Sequence, residues 1–302
     1  LSNNGELVME FPVDTQKIDF SHKGIIEKIR SEYGHTLSSH SFASLYLWQH
    51  AMGLSLICDK DFFAVQCGGE NSNMWFFPCG NEQKTHSFIS EKMSDKPFSL
   101  CYLRERDVKW LDKNFPEKWN FKRAEPSDEY ICNVSEYISL EGSKFSEIRR
   151  KIRKIDREYA ITVRKISDST LNDAMGVAEK WYAKEHHIGK DGLSDDMIAE
   201  IALDERKKLD ISGIILYADG VPVSVFAGFP LTGDTADVLI GKCTLDAPKG
   251  VAYYALREYL RSLDGKYLYC NHEEDLGIEG IRQMKSSLCP IEKTHIWEAD
   301  LK

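Results

Sequence analysis

The sequence contains eight cysteines among 302 residues but no Cys-x-x-Cys pair. Paired spacing of that kind is what a structural zinc site or a thioredoxin-type redox motif requires. Cys270, His272 and Cys289 are metal-ligand types, but they lack a second paired ligand, so no metal is expected. Several thiols stand in apolar, strand-like runs, where free cysteine behaves as a small hydrophobe, and the expectation is reduced thiols in a cytoplasmic protein. No apolar stretch approaches the length of a membrane span, and the residues from Leu1 onward lack the basic-then-apolar pattern of a secretion signal. The expectation is therefore a soluble chain with no transmembrane segment. An excess of positive charge is also missing: the formal net charge is -9. Such a balance argues against nonspecific binding to duplex DNA and leaves room only for a local basic face.

What remains is globular in composition, 42% hydrophobic and 29% charged, and long enough for two domains. Residues 1–5 read as a loose end, 19–33 as a helix with Ile25, Ile26 and Ile29 on one side, and 42–48 as a dense apolar and aromatic run. Strand-like runs follow at 54–58, 62–67 and 74–78. Asp59-Lys60-Asp61 and Gly68-Gly69-Glu70-Asn71-Ser72 separate them, which is the turn chemistry of an antiparallel meander. Helices are expected at 86–93 and 107–113, strands at 99–103 and 131–134, and an irregular stretch at 115–125.

Residues 144–160 carry the clearest helical signal. Phe145, Ile148, Ile152, Ile155 and Tyr159 recur at three- and four-residue steps. The other faces are crowded with cations, among them Arg149, Arg150 and Arg153. They are either a solvated face or a surface for phosphates, of a cofactor or of a tRNA acceptor arm. Beyond it the order is strand (161–166), helix (171–184), helix (197–208, capped by Ser194-Asp195-Asp196), and strands 211–217 and 221–229 joined by the hairpin signal Asp219-Gly220. Then come strand 236–244, a turn at 247–250, helix 251–263, a strand ending at Cys270, a helix at 278–288 and a last strand at 295–299. The adjacent His186 and His187 point to different sides, which argues against a shared metal.

The densest chemistry lies in the polar turn from Asn271 to Gly277, between the strand ending at Cys270 and the helix from Ile278. In open α/β sheets such turns, at the carboxyl ends of strands, are where ligands bind. Asn271, Glu273 and Asp275 are the candidate catalytic residues, with the two carboxylates as general bases. The alternative for Asp275 is to pair with Arg282, about two helical turns on, and brace the turn. Lys242, Lys249, Gly250, Arg282 and Lys285 are candidates for holding the carboxylate or phosphate of a donor. Tyr254 is either a proton donor to a leaving group or core.

The run Asn271-x-Glu273-x-Asp275-Leu276-Gly277-Ile278-x-Gly280-Ile281-Arg282-x-x-Lys285-x-x-x-x-Pro290 resembles a bacterial family that shares the C-terminal domain of phosphatidylglycerol lysyltransferase. Lys242, Lys249-Gly250, the cationic helix, Phe42-x-x-Leu45-Tyr46-x-Trp48 and Phe76-Phe77-Pro78-x-Gly80 extend that resemblance over nearly the whole chain. It implies an α/β (α+β) fold of two tandem GNAT-like domains, as in the Fem-type transferases, each a mixed, mostly antiparallel sheet flanked by helices. The implied domains are 1–136, degenerate and without a phosphate-binding turn, and 137–302, carrying the site. The implied activity is acyl or aminoacyl transfer from an aminoacyl-tRNA or acyl-CoA co-substrate to an amine or hydroxyl acceptor, with no tightly bound cofactor. Acetyl-CoA-dependent GNATs place Gln or Arg, two residues, Gly, one residue and Gly or Ala before a helix. Ala247-Pro248-Lys249-Gly250-Val251-Ala252 keeps the Gly and the final Ala and lacks the leading polar residue. The competing reading is a binding module on the same fold that performs no chemistry.

Overall fold

A computed structural model describes residues 14–183, 198–263 and 265–302. The loose start at 1–5, the His186-His187 pair and the Ser194-Asp195-Asp196 cap lie outside the described residues. The chain forms two compact units: Leu1–Ala124 together with Ile296–Lys302, and Glu125–His295. The expected division at 136/137 therefore differs from the one observed, in which the chain crosses between units at 124/125 and its last strand returns to the first unit.

The first unit runs α1 (Lys23–Glu32), α2 (Phe42–Trp48), β1 (Ser55–Asp59), β2 (Phe62–Cys67), β3 (Met74–Phe76), β4 (Cys79–Gly80), α3 (Glu82–Lys92), β5 (Ser99–Leu103), α4 (Glu105–Asn114) and β6 (Trp119–Arg123). Its sheet has the order β1-β2-β3-β5-β15-β6, with β4 beside β2, where β15 is Trp297–Leu301. The meander of β1, β2 and β3 follows the turn signals, and β3 and β5 form the parallel pair. Residues 115–125 are not irregular throughout. Trp119 and Phe121 alternate with Asn120 and Lys122, and the run pairs as β6 with β15.

The second unit runs β7 (Glu129–Asn133), α5 (Val134–Ser139), α6 (Ser146–Glu158), β8 (Ile161–Lys165), α7 (Leu171–Tyr182), α8 (Ile198–Asp204), β9 (Ser212–Ala218), β10 (Val221–Gly228), β11 (Thr235–Asp237), β12 (Ile240–Cys243), α9 (Val251–Leu263), β13 (Tyr269–Asn271), α10 (Glu279–Ser287) and β14 (Glu292–Thr294). It holds two sheets rather than one. The antiparallel sheet β12-β10-β9-β8 includes the expected hairpin at Asp219-Gly220. The second, β11-β13-β7-β14, pairs β11 with β13 in parallel. Residues 236–244 are thus not a single strand. The chain leaves β11 at Asp237 and enters the other sheet as β12.

The core of the second unit lies under α6 and α9. Ile148, Ile152 and Ile155 turn inward from α6 and meet Tyr254, Ala255, Leu256 and Tyr259 of α9, all of them buried. The stripe of isoleucines forms because residues three and four apart share a helix face. Among the described residues no helix is long and apolar enough to cross a membrane.

Two glycines test the packing. A Cβ on Gly228, at the end of β10, would lie 1.7 Å from the carbonyl oxygen of Asp237 and 2.8 Å from the Tyr259 hydroxyl. A Cβ on Gly176, inside α7, would meet nothing within 4 Å. Gly228→Ala should therefore destabilise the protein by about 3 kcal/mol or abolish folding, because backbone on both sides must move. Gly176→Ala should stabilise it by up to about 1 kcal/mol through helix propensity. Denaturant unfolding followed by circular dichroism reads both.

Candidate functional site

The turn after β13 is held by one ion pair. Asp275 is fully buried. Its Oδ2 accepts from Arg282 Nε at 2.9 Å and from the Tyr130 hydroxyl at 2.6 Å. Its Oδ1 accepts from Arg282 Nη2 at 3.1 Å and from the Gly277 backbone N–H at 2.8 Å. All four acceptor positions of the carboxylate are filled. Burial pushes the Asp275 carboxyl up, but the Arg282 guanidinium, the Tyr130 hydroxyl and the Gly277 N–H outweigh it and hold it below its ordinary value. Asp275 and Arg282 therefore form the brace, the alternative to a base that the spacing had left open. Ile278 takes the position before α10, and its side chain makes no cap.

On either side of Asp275 the backbone is strained. Glu273 has φ +55° and Leu276 φ +54°, in the left-handed region that non-glycine residues rarely adopt. The Asn271 side chain supports the first of these: its Oδ1 accepts from the Glu273 N–H at 2.8 Å, and its Nδ2 donates to Glu129 Oε2 at 2.8 Å. Asn271 is fully buried, with Glu129 beside it on β7 and Asp237 opposite it on β11. Both neighbours are buried as well. The result is an acidic face of buried Asp237 and Glu129 and half-buried Glu273, next to the ammonium of Lys285.

Lys285 Nζ donates to the backbone carbonyls of His272 and Glu274. Burial pulls its pKa down, against the pull of Glu273, Glu274 and Asp237. Burial pushes the Glu273 carboxyl well above the usual range, and the charges of Asp237, Glu274 and Glu129 add to the effect while Lys285 opposes it. Glu274 is raised by burial too, again opposed by Lys285. His272 is pulled down to about 3 by burial and by the Lys285 charge, and its Nε2 has no hydrogen-bond partner among the described residues. Of the three acidic and amide candidates, Glu273 is thus the one with high proton affinity, Asp275 the brace and Asn271 the positioning group. Asp237, Glu129 and Tyr130 were not singled out from the sequence. A charged residue inside an apolar strand, as Asp237 is between Ala236 and Val238, is the signal that marks such a position.

The other candidates gather elsewhere in the same unit. A groove of about 840 Å³ is lined by Ser146, Arg149, Arg150, Lys151, Arg153, Lys154 and Arg157 of α6 and by Lys249 and Gly250 before α9. Not every cation there is available. Arg149 donates to the carbonyls of Leu140 and Gly142, Arg150 pairs with Glu147 at 2.6 Å, and Lys151 stands 4.4 Å over the Tyr253 ring. Arg153 and Lys249 have no such partner among the described residues. Gly250 has φ +95°, and a Cβ there would meet Lys151 Cβ at 2.9 Å, so the turn needs glycine.

Three candidates lie outside the groove. Lys242 stands 3.7 Å over the Trp181 ring, and Arg282 and Lys285 are committed to the turn after β13. Tyr254 is core: its hydroxyl donates to Asp156 at 2.8 Å, and burial, then that carboxylate, push it up to about 12. Among the described residues no group of three or more His, Cys, Asp or Glu is placed to hold a metal.

Residues 30–297 match the family described as phosphatidylglycerol lysyltransferase, C-terminal. No curated protein matches the chain. A conserved protein of unknown function from Bacteroides thetaiotaomicron is similar in structure, with TM-score 0.86 and 21% identity over 97% of this chain and 100% of that one. L-PGS from Bacillus licheniformis gives TM-score 0.65 and 15% identity over 95% of this chain and 93% of that one. FemX gives 0.55 and 7% over 95% and 97%. These likenesses establish the fold, a tandem GNAT-like arrangement of mixed sheets flanked by helices.

The raised Glu273 carboxyl makes a signed prediction. A buried carboxyl that keeps its proton when the unfolded chain has lost it withdraws stability as pH rises above about 4.5. Glu273→Gln removes that loss. The melting temperature of Glu273→Gln minus that of the parent should therefore become more positive from pH 5 to pH 8, read by calorimetry. A flat difference would place Glu273 in solvent.

Proposed function

Because the chain belongs to the phosphatidylglycerol lysyltransferase C-terminal family, we propose that it is an acyl transferase of the aminoacyl type, moving an aminoacyl group from an aminoacyl-tRNA to an amine or hydroxyl acceptor. The observation that carries this reading is the basic groove on α6, in a chain whose net charge is -9. Arg149 and Arg157 are eight positions apart on that helix, about 12 Å along its axis. That length suits several backbone phosphates better than a single diphosphate, and the start of α9 adds the positive end of its dipole.

The chemistry asks for little more than positioning and one proton acceptor. The acceptor amine or hydroxyl attacks the ester carbonyl, and its proton passes to Glu273. The bond from the carbonyl carbon to the ribose oxygen breaks, and Glu273 returns the proton to that oxygen. A carboxyl whose proton affinity is raised by burial suits this double role, because it is a stronger proton acceptor than a solvated carboxylate. Asn271 fixes the Glu273 backbone, and the Asp275–Arg282 brace fixes the turn.

Thermal shift of the purified protein against a charged tRNA pool, uncharged tRNA, coenzyme A and acyl-CoAs separates the donors. The expected result is a shift with tRNA that weakens as salt rises. Arg153→Ser combined with Lys249→Ser should weaken tRNA binding about tenfold or more and lower the salt slope by about 1.5. Glu273→Gln should keep tRNA binding and reduce transfer about a hundredfold or more. A shift with a CoA species alone would make acyl-CoA the donor. A tRNA shift without transfer to any acceptor would make the chain a non-catalytic binding module.

A further inference from the structure

The first unit holds a buried pair of histidines that the proposed activity does not use. His35 and His40 flank the connection from α1 to α2, 3% and 0% exposed, with ring centroids 4.0 Å apart. His40 is fully committed: its Nε2 meets the Phe77 carbonyl at 2.9 Å and its Nδ1 meets the Ser39 hydroxyl at 3.0 Å. A carbonyl can only accept, so Nε2 carries the proton and Nδ1 takes the hydroxyl's. Among the described residues His35 has no hydrogen-bond partner at either ring nitrogen. At His35 no acceptor among the described residues waits for a second proton, and at His40 a second proton would require the Ser39 hydroxyl to reverse its bond.

The groups that face the pair make a second proton still harder to hold. Arg30 of α1 is 2% exposed, and Arg104, just before α4, is 9% exposed. Arg106 of α4 adds a third guanidinium, and all three act on His35. The two carboxylates in the cluster are already taken. Glu27 of α1 binds Arg30 Nη1 and the Phe42 N–H at 2.7 Å, and Asp107 of α4 binds Arg104 Nε at 2.8 Å. Other groups in the cluster are the Cys79 thiol of β4, pushed up to about 12 by burial, and the rings of Phe63 and Phe76, both against His40. Each imidazole is therefore held neutral inside a donor-rich cluster with no spare negative charge.

We propose that the His35–His40 pair is an acid-sensitive latch, and that protonation of the pair opens the connection between α1 and α2 while the sheet of the first unit stays folded. The connection takes no part in the strand pairing of the sheet. It is tied to the unit by His35 N–H to the Arg30 carbonyl at 2.8 Å, by Leu37 in a small apolar cluster and by His40 on the Phe77 carbonyl. Arg106 and Arg104 also donate to the Tyr33 and Gly34 carbonyls at 3.1 and 3.4 Å. These bonds can break while the strand ladders stay paired. Opening it hydrates both rings, so the open form binds protons that the closed form refuses.

The sign follows from the direction in which burial moves each ring. His40 is pulled down to about 3 and His35 well below its ordinary value, in each case by burial first. The closed form is favoured fully above about pH 6.5 and loses ground as pH falls below it. At pH 5.5 each neutral histidine should shift the opening equilibrium by about tenfold, so the pair reaches about a hundredfold.

The experiment is hydrogen exchange by mass spectrometry on the full chain at pH 7.5 and 5.5, corrected for intrinsic rates. Peptides over 33–41 should open between about tenfold and a hundredfold more at pH 5.5, while peptides over β2 stay protected at both. His35→Phe keeps the ring packing and removes one titration, and should cut the pH effect about tenfold. Equal protection of 33–41 at the two pH values, or a parent-like pH effect in His35→Phe, would overturn the proposal. Should that variant fail to fold, the parent decides alone. Nitrogen NMR of the labelled histidines at pH 5.5 should show both rings neutral in the closed form, and a ring that titrates near 6.5 there would end the idea.

Discussion

The second unit depends on keeping one carboxylate ionised with no water around it. Asp275 does so because a guanidinium, a phenol and a backbone N–H occupy every lone pair it offers. A buried charge left without such partners would neutralise or unfold the turn. The partners come from separate places: Tyr130 from β7, Arg282 from α10 and Gly277 from the turn itself. One ion pair thus fixes the position of α10 against β7, and with it the loop in between. That fixed loop is what tolerates two left-handed non-glycine residues, Glu273 and Leu276.

With the turn fixed, charge separates within the unit. One region concentrates buried and half-buried carboxyls around the Lys285 ammonium. Another presents α6 and its cations to a groove. A group-transfer enzyme without a covalent intermediate needs both kinds of environment: one that holds a polyanionic carrier and one that takes a proton from a nucleophile. Burial performs the second task cheaply, because the same loss of water that raises Glu273 lowers Lys285 and His272. The three shifts have a common cause, and any change that admits water to the turn relaxes all of them together.

Much of this was readable from the sequence where periodicity or turn chemistry was strong. The isoleucine stripe of α6, the Asp219-Gly220 hairpin and the polar turn after Cys270 announce themselves. So does the family resemblance, carried by the run from Asn271 to Lys285. Three features hid for physical reasons. Residues 236–244 contain no glycine at the point where β11 gives way to β12, since Asp237 changes sheet without a tight turn. β6 is short and half polar because one of its faces is exposed, so its alternation is faint. The partners of the turn, Tyr130, Glu129 and Asp237, are far from it in sequence, and only strand register brings them beside it. The roles of Arg149, Arg150 and Lys242 were equally out of reach, because a cation's availability depends on neighbours that spacing does not reveal.

β15 has a consequence for the order in which the protein is made. It lies between β5 and β6, pairing with both, and is formed by residues 297–301. During synthesis the ribosome releases β6 more than 170 residues before the strand that must join it to the sheet. Until then β5 has one open edge and β6 has no strand partner among the described strands. Of the two units, the one that begins earlier in the chain is completed later. Its sheet closes only after the entire second unit has left the ribosome, and a pairing of such long range is intrinsically slow. The nascent chain therefore passes through a stage with open strand edges, when a chaperone or a second nascent chain competes with the native strand for the same hydrogen bonds.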